Sequence, residues 1–509
     1  AEGDIPGQGS WEETVKPGIP TTMNPTSLPQ ALIRNADGNF TLRPLSPSLD
    51  ITPDGRASWV GREVGDVESN PNPSFVGRGI SNMFFYMNRL GFLCEDKVIM
   101  SQPGSYFNFF VGSAIAVSDA DPIDMVAASE RPSFLKAAVS VPRGVLLFAE
   151  NTQYILATQE VAFGPSTAKI TKISDYSFDS KIEPLETGVS LMFHTESATY
   201  SKIFEMAIPN VDAARPQVAE LTRIIPEYIP PSLNWSASNP NNNQVFFGQG
   251  DNVAYNFSFF NVGNERSMSG WTKWVFDYDI SHLAYFQDRA YLVQYNAHTT
   301  SYLLSTMDVL DNPGDSSISA AGREFTPRLD ALIPKSRCTL VQINATETEV
   351  TIPSGLTVYD DVSEEYKEIT VIFGDLGNAT FFQNKELTNN TFTILTEDAE
   401  LDFSVGFSYS MYVELPSFYV MNDKDADRNN VPIVENVQTY LYLSGSYEAK
   451  LSRLGYQDRY INLEVNRADV YIADSSPIAE VGVAEIPLFC MGDLATVEIT
   501  SNSPLPSSV

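Results

Sequence analysis

The sequence predicts an all-β protein, and three observations lead to this fold class. Apolar runs of about four to eight residues, rich in Val, Ile, Phe and Tyr, recur between Gly, Pro, Asn and Asp turns. The 30 Gly and 32 Pro residues interrupt any long regular element. Long amphipathic helical periodicity is nearly absent, and residues 211–223 are the best candidate for a short helix.

A hairpin unit recurs within residues 80–309. In each unit an apolar strand, a short polar turn and a second apolar strand follow one another, at intervals of roughly 40 to 60 residues. The paired segments are residues 83–86 with 97–100, 145–148 with 154–156, 190–193 with 202–205, 245–247 with 253–255, and 282–285 with 291–294. This pattern favours β-propeller blades, which bury their faces by stacking on their neighbours. An irregular β-sandwich with similar hairpins is the alternative.

The chain is long enough for two or three domains, at 509 residues. A linker-like run at residues 311–317 predicts a boundary near residue 315. We expect a loop-rich extended segment at residues 1–74, a β-propeller-like domain at 75–315, and a second β-rich domain with long acidic loops at 316–509.

The charge balance is strongly acidic, with 32 basic against 64 acidic residues and a formal net charge of −32. Binding to a nucleic-acid backbone needs clusters of Lys and Arg, so the composition excludes a conventional nucleic-acid binder. Two interpretations stay open. In one the charge serves solubility, and in the other it forms a surface past which DNA slides without adhering.

One acidic loop places Asp423, Asp425 and Asp427 at alternate positions, as in a calcium-binding loop. The sixth position is Arg428 instead of Gly, and the twelfth is Val434 instead of Glu, so the calcium motif is broken. We therefore interpret the three carboxylates as a candidate channel-facing acidic loop or a solvated one.

Other chemical motifs are weak. Asp119, Asp121 and Asp124 offer spaced carboxylates for glycoside hydrolysis, but Pro122 between them favours a turn in which Asp side chains cap backbone N–H groups. Aromatic residues between positions 75 and 109 favour core packing over stacking on bases or sugars, since few Lys or Arg are interleaved. The three Cys and three His residues are dispersed, so we expect no disulfide framework, no zinc site and no cofactor.

The order of residues between positions 65 and 124 is more specific than any of these motifs. Its characteristic positions are Asn70, Pro71, Pro73, Phe75, Gly77, Asn88, Arg89, Leu90, Gly91, Phe92, Asp121, Pro122 and Asp124. This order resembles the tail tubular protein B family, the nozzle proteins of T7-like short-tailed bacteriophages (podoviruses). Weaker collinear similarity covers nearly the whole chain, and departures at both ends predict an internal portion of a longer protein.

The resemblance implies a structural virion protein, not an enzyme, at the distal end of the tail. It implies a homohexamer with a platform domain and a nozzle or channel domain, joined to a tail adaptor and carrying tail fibres. Double-stranded DNA would pass through the lumen without sequence-specific binding, and the host outer surface would be met at infection. A tail-associated host-surface adhesin and a capsule-degrading enzyme are the alternatives.

Overall fold

The computed structural model consists almost entirely of β-strands. It describes residues 12–45, 58–128, 133–160, 162–188, 190–207, 216–262, 265–298, 300–308, 318–320, 323–353, 356, 359–360, 365–374, 381–422, 425–427, 430–463 and 479–505. The helical elements among these residues are three short 3-10 helices, Pro25–Ser27, Lys335–Arg337 and Asp398–Glu400. Within the described ranges, no helix has the length and apolar character needed to cross a membrane. The predicted all-β class is confirmed.

The first part of the chain forms a hairpin and five consecutive antiparallel meander sheets, in which neighbouring strands follow one another in sequence. The hairpin strands are β1 (Gln30–Arg34) and β2 (Phe40–Pro44). Sheet 1 contains β3 (Asn82–Tyr86), β4 (Arg89–Cys94), β5 (Lys97–Met100) and β6 (Ile123–Val126). Sheet 2 contains β7 (Leu135–Val141), β8 (Gly144–Ala149), β9 (Gln153–Ala157) and β10 (Lys169–Ser174).

The remaining sheets of the series continue this topology. Sheet 3 contains β11 (Leu185–Glu186), β12 (Ser190–Glu196), β13 (Ser201–Ala207) and β14 (Val218–Glu220). Sheet 4 contains β15 (Trp235–Asn239), β16 (Gln244–Gly248), β17 (Val253–Val262) and β18 (Glu265–Val275). Sheet 5 has three strands, β19 (Asp279–Phe286), β20 (Arg289–Asn296) and β21 (Ser301–Asp308). A four-stranded antiparallel meander is the strand topology of a propeller blade.

Sheet 2 shows why the strands read as continuous apolar runs. Every residue of β8 is buried, because alternate side chains enter two different cores. Val145 and Leu147 pack with residues of sheet 1, whereas Leu146 and Phe148 pack with residues of sheet 3. Sheet 2 is thus covered on both faces, as the interpretation as stacked blades requires.

The face of sheet 1 that points away from sheet 2 is covered by the segment before it and by the loop between β5 and β6. Phe92 and Ile99 on this face pack against Trp59, Phe75 and Phe109. A meander sheet with two apolar faces therefore gains its second cover from loop residues instead of another blade.

The second part of the chain contains sheets of two to four strands. Its strands are β22 (Ile318–Ala320), β23 (Arg323–Phe325), β24 (Asp330–Pro334), β25 (Thr339–Gln342), β26 (Glu347–Thr351), β27 (Tyr359–Asp360), β28 (Glu365–Tyr366), β29 (Ile369–Phe373), β30 (Phe381–Lys385), β31 (Thr391–Leu395), β32 (Phe403–Phe407), β33 (Met411–Leu415), β34 (Val420–Asn422), β35 (Asp425–Asp427), β36 (Ile433–Ser444), β37 (Tyr447–Arg453), β38 (Arg459–Leu463), β39 (Ala479–Met491) and β40 (Ala495–Ser501).

Two sandwich-like cores organise these strands. The sheet β24-β32-β29-β30 packs against β25-β26-β31 through residues such as Val371, Phe403 and Val350. The sheet β33-β40-β37-β38 packs against the long two-stranded ribbon β36–β39 through residues such as Val497 and Ile486. The chain divides into two compact units, residues 1–250 with 254–273 and residues 251–253 with 274–509. Sheet 5 belongs to the second unit, and the predicted domain limits at residues 74 and 315 stay predictions.

Two details of the sequence interpretation are wrong. The short helix predicted at residues 211–223 is replaced in its described part by strand β14, whose Val218 pairs with Met206 on the edge of sheet 3. Residues 211–215 lie outside the described residues. In the first hairpin unit the predicted polar turn is itself a strand, β4, which pairs with both β3 and β5. The charged Arg89 at the start of β4 led to the prediction of a polar turn there.

Replacing Phe148 with Ala should lower the free energy of unfolding of the first unit by about 3–5 kcal/mol, because the ring fills the core between sheets 2 and 3. Its ring centroid lies 5.2 Å from that of Phe178 and 5.4 Å from that of Phe193. Phe260→Ala, at an exposed position, is the matched control and should change stability by less than about 0.5 kcal/mol. Urea unfolding followed by circular dichroism measures both, and equal midpoints would contradict the stacking of the two sheets.

Candidate functional site

The residues singled out by the sequence lie in and around sheet 1, and the aromatic ones form its outer core. Phe75 sits at the centre, with ring centroids 5.2 Å from Phe92, 5.0 Å from Phe109 and 6.1 Å from Trp59. These side chains are buried, so they pack with one another. Phe85 and Tyr106, which stand in the same stretch of sequence, are exposed on the surface.

The segment from Asn70 to Gly77 is held by backbone-directed hydrogen bonds. The buried Asn70 amide donates to the carbonyl of Val64 at 3.0 Å and accepts from the N–H of Val111 at 3.1 Å. Pro71 is exposed and Pro73 is buried. Gly77 has a φ of +77°, a conformation that strains other residues. The segment thereby presents Phe75 to the aromatic core.

The turn between β3 and β4 fixes the register of sheet 1. Met87 and Asn88 both have positive φ angles, 47° and 57°, as a two-residue turn of the mirror-image type requires. The Tyr106 hydroxyl donates to Asn88 Oδ1 at 2.8 Å. Phe84 and Gly91 are paired across β3 and β4. A Cβ atom on Gly91 would lie 2.3 Å from Cζ of the Phe84 ring, so the ring occupies the space that a side chain would need. The next residue on each side of Gly91 points to the outer core, where half-buried Leu90 joins Phe92.

Arg89 is the buried polar centre of this region. Its Nη1 donates to the carbonyls of Ser101 and Asp121, both at 2.7 Å, and its Nη2 donates to the carbonyls of Asp119 at 2.5 Å and Phe163 at 3.3 Å. Burial lowers the pKa of Arg89 from its usual value, and the carboxylates of Asp121 and Asp119 oppose that shift. The guanidinium therefore ties sheet 1, the loop before β6 and the loop after β9 together through backbone carbonyls.

The carboxylates that resemble a hydrolase pair are engaged with the backbone. Asp121 accepts from the N–H of Ser118 at 2.7 Å and from the N–H of Gly112 at 3.1 Å. Asp124 accepts from the N–H of Ser74 at 2.9 Å. Pro122 is half-buried between them. This arrangement stabilises the loop between β5 and β6 and ties β6 to the segment containing Phe75.

The candidate channel-facing acidic loop is a short β-hairpin. Strand β34 pairs with β35, so that Asn422 lies opposite Asp425 and Val420 opposite Asp427. Asp423 lies outside the described residues. Among the described residues no group of three or more His, Cys, Asp or Glu side chains is arranged to hold a metal ion.

A half-buried acidic pair in the second unit was not found from the sequence. Lys367 Nζ lies 3.0 Å from Asp277 Oδ1, and Asp330 lies nearby at the start of β24, opposite Phe407. Burial and the neighbouring Asp277 carboxylate raise the pKa of Asp330 to about 7, whereas Lys367 acts to lower it. These residues are far apart in sequence, and a single Asp before an apolar run is no signal of burial.

The comparison with known proteins assigns the family. The family described as bacteriophage nozzle protein matches residues 4–509. The chain therefore belongs to the bacteriophage nozzle protein family, and it is a structural component of a virion tail. The resemblance read from residues 65–124 is confirmed.

Individual relatives are more distant. Tail tubular protein gp12 of Escherichia phage T7 is 29% identical over 280 residues, which cover 54% of this chain and 33% of that protein. Among solved structures, Hsv2p of Kluyveromyces lactis is 12% identical with a TM-score of 0.29, and the match covers 61% of this chain and 85% of the other. The WD40 domain of Pan2 from Neurospora crassa is 10% identical with a TM-score of 0.28, covering 66% and 91%.

Arg89→Lys should lower the free energy of unfolding of the first unit by about 2–4 kcal/mol, because one ammonium cannot replace a fork that reaches four carbonyls. The matched control is Arg78→Lys, which affects an exposed ion pair with Glu95. This control should change the free energy of unfolding by less than about 0.5 kcal/mol. Urea denaturation followed by tryptophan fluorescence distinguishes the two variants. A result in which both variants unfold at the wild-type urea concentration would show that Arg89 does not anchor the loops.

Asp330 should make the second unit less stable as the pH rises. Its pKa is about 7 in the folded protein against an ordinary value of 3.8, so the folded state keeps a proton that the unfolded state has released between these values. The stability that this proton contributes is present below pH 3.8 and is lost as the pH rises through about 7. In wild type the free energy of unfolding should fall by up to about 4 kcal/mol between pH 3.8 and about 7, and Asp330→Asn should abolish this decrease.

Asp493→Asn, at an exposed position, is the control for this pH dependence. Thermal unfolding at several pH values between 4 and 8 measures the slopes. Parallel curves for wild type and Asp330→Asn would contradict the raised pKa of Asp330.

Proposed function

We propose that this chain forms the distal nozzle of a short non-contractile phage tail, a homohexameric ring through which DNA is ejected into the host. The observation that carries the proposal is the match of the nozzle family to residues 4–509. The formal net charge of −32 supports it, since a wall that repels DNA lets the polymer slide.

Each part of the chain has a separate role in this proposal. Residues 1–74 join the platform, residues 75–315 form the propeller-like platform, and residues 316–509 form the nozzle or channel domain. The five meander sheets support the assignment of residues 75–315 to the platform, because they all lie between residues 82 and 308. The change to sandwich-like cores after residue 318 supports the assignment of residues 316–509 to a separate nozzle or channel domain.

The partners follow from the same role. The ring would join a tail adaptor above and carry tail fibres at its side, and it would meet the host outer surface at infection. Support comes from the T7 relative, which is a tail tubular protein. The chain matches only about a third of that relative, so these partners belong to the proposal.

We propose a structural role without catalysis. A capsule-degrading enzyme needs two carboxylates facing a substrate cleft. The carboxylates of Asp121 and Asp124 instead accept hydrogen bonds from the backbone N–H groups of Gly112, Ser118 and Ser74. These hydrogen bonds stabilise loops, so the geometry supports a structural role in the tail conduit better than a catalytic role.

The acidic hairpin β34–β35 is the proposed constriction. Duplex DNA carries one negative charge per ~1.7 Å of axis. Like-charge repulsion is screened beyond about 8 Å at physiological salt, so the carboxylates act on DNA only where the lumen is narrow. Six copies of Asp423, Asp425 and Asp427 around one axis would keep DNA centred and unbound.

Replacing Asp423, Asp425 and Asp427 together with Lys should slow or arrest DNA ejection while leaving assembly intact, because a basic constriction binds the DNA backbone. Replacing the same residues with Asn should have a smaller effect. The control places Lys at Glu63, Glu68 and Glu160, which are exposed in the first unit and give the same change in charge. Ejection is followed by release of DNA from purified virions at several salt concentrations.

The effect of the Lys variant should decrease as salt rises, whereas the control should eject at the wild-type rate. Wild-type ejection by the Asp423, Asp425 and Asp427 variant at every salt concentration would show that DNA does not pass this hairpin.

A further inference from the structure

The hairpin formed by β1 and β2, residues 30–44, stands apart from every other sheet among the described residues. We call it the arm. Leu28 and Leu45 at its two ends are buried in the outer core of sheet 1, so its base is fixed. Its tip is ordered by backbone hydrogen bonds between Asn35 and Asn39 at 2.8 Å and between Gly38 and Asn35 at 3.0 Å. The arm is thus a defined element and not a loose segment.

One face of the arm is apolar and exposed. Leu32 lies directly opposite Leu42, and Arg34 lies opposite Phe40. The exposed fractions of Leu32, Leu42 and Phe40 are 66%, 65% and 63%. An isolated two-stranded hairpin is marginally stable in water and needs another surface to pack on. The arm therefore lacks a cover for this face within the described part of its own chain.

A second exposed apolar face lies on sheet 5. Leu304 is 74% exposed, Tyr302 is 69% exposed, and Phe286 is 64% exposed. Leu304 lies beside Val293, and the rings of Tyr302 and Tyr295 are 5.0 Å apart, so these side chains share one face of the sheet. Sheet 2, in contrast, has both faces covered by its neighbours. Sheet 5 therefore presents a blade face ready for another β-sheet.

The two faces are complementary in charge as well as apolar. The apolar face of the arm carries one charged residue, Arg34 opposite Phe40, since Arg43 pairs with Ala31 on the other face. The exposed face of sheet 5 carries Asp279 opposite Tyr295, together with the ion pair of Arg289 and Asp308. The chain as a whole has a formal net charge of −32, so two copies repel unless a basic element meets an acidic surface. The arm is such an element.

We propose that the arm of one copy packs face to face on sheet 5 of a neighbouring copy, with Leu32, Leu42 and Phe40 covering Tyr302 and Leu304. The inference rests on the proposed ring, because a closed ring needs two different, complementary patches on each copy. Each copy has one arm and one sheet 5, so the same contact repeats between neighbours around the axis of the proposed ring.

Cross-linking between differently tagged copies tests this contact. One copy carries Leu42→Cys and the other Leu304→Cys, both with Cys338→Ser and Cys490→Ser, while the buried Cys94 is kept. A cross-linked pair containing both tags is expected under mild oxidation or with a short bismaleimide. The matched control pairs Leu42→Cys with Val341→Cys, an exposed position in the second unit, and should give no cross-link.

A second variant checks the same contact without cysteine chemistry. Leu32→Glu with Leu42→Glu should raise the protein concentration needed for assembly at least tenfold, and unchanged circular dichroism would show that the chain still folds. A six-copy mass without the tagged cross-link would overturn the arm contact and leave the proposed ring standing. A wild-type chain that stays monomeric would overturn both.

Discussion

The structure depends on one constraint, which is that a meander sheet with two apolar faces cannot bury both of them alone. The strand Gly144–Ala149 shows this directly, since its alternate side chains enter the cores on opposite sides of the sheet. Stacking then becomes obligatory, and each sheet is stable only with a cover on either side. Sheet 1 obtains its outer cover from the aromatic cluster around Phe75, and the sandwich-like cores of the second unit solve the same problem by pairing two sheets.

Polar groups in this fold mostly secure the backbone. Arg89 donates to carbonyls of three different segments, and Asn70 and Asp121 bind backbone groups of the loops around them. Such contacts satisfy buried polar groups that would otherwise destabilise the long connections between strands. They give the charged and amide side chains at these positions a structural role.

The sequence predicted the class and the hairpins because burial on both faces produces continuous apolar runs, as in Val145 to Phe148. The strand containing Arg89 was not predicted, because the sequence alone does not distinguish a buried Arg that binds backbone carbonyls from an exposed one. The placement of Asp330 near Asp277 depends on residues about fifty positions apart, which no local pattern records. Family membership came from the order of residues 65–124, whereas the roles of the acidic residues depend on an assembly that one chain does not contain.

The central claim is that copies of this chain surround a channel. Electron microscopy of the purified assembly viewed down its axis, together with its mass in solution, tests it most directly. The account predicts six copies in a closed ring with an axial opening lined by residues 316–509. A threefold particle, a monomer, or a six-copy particle without an axial passage would contradict it.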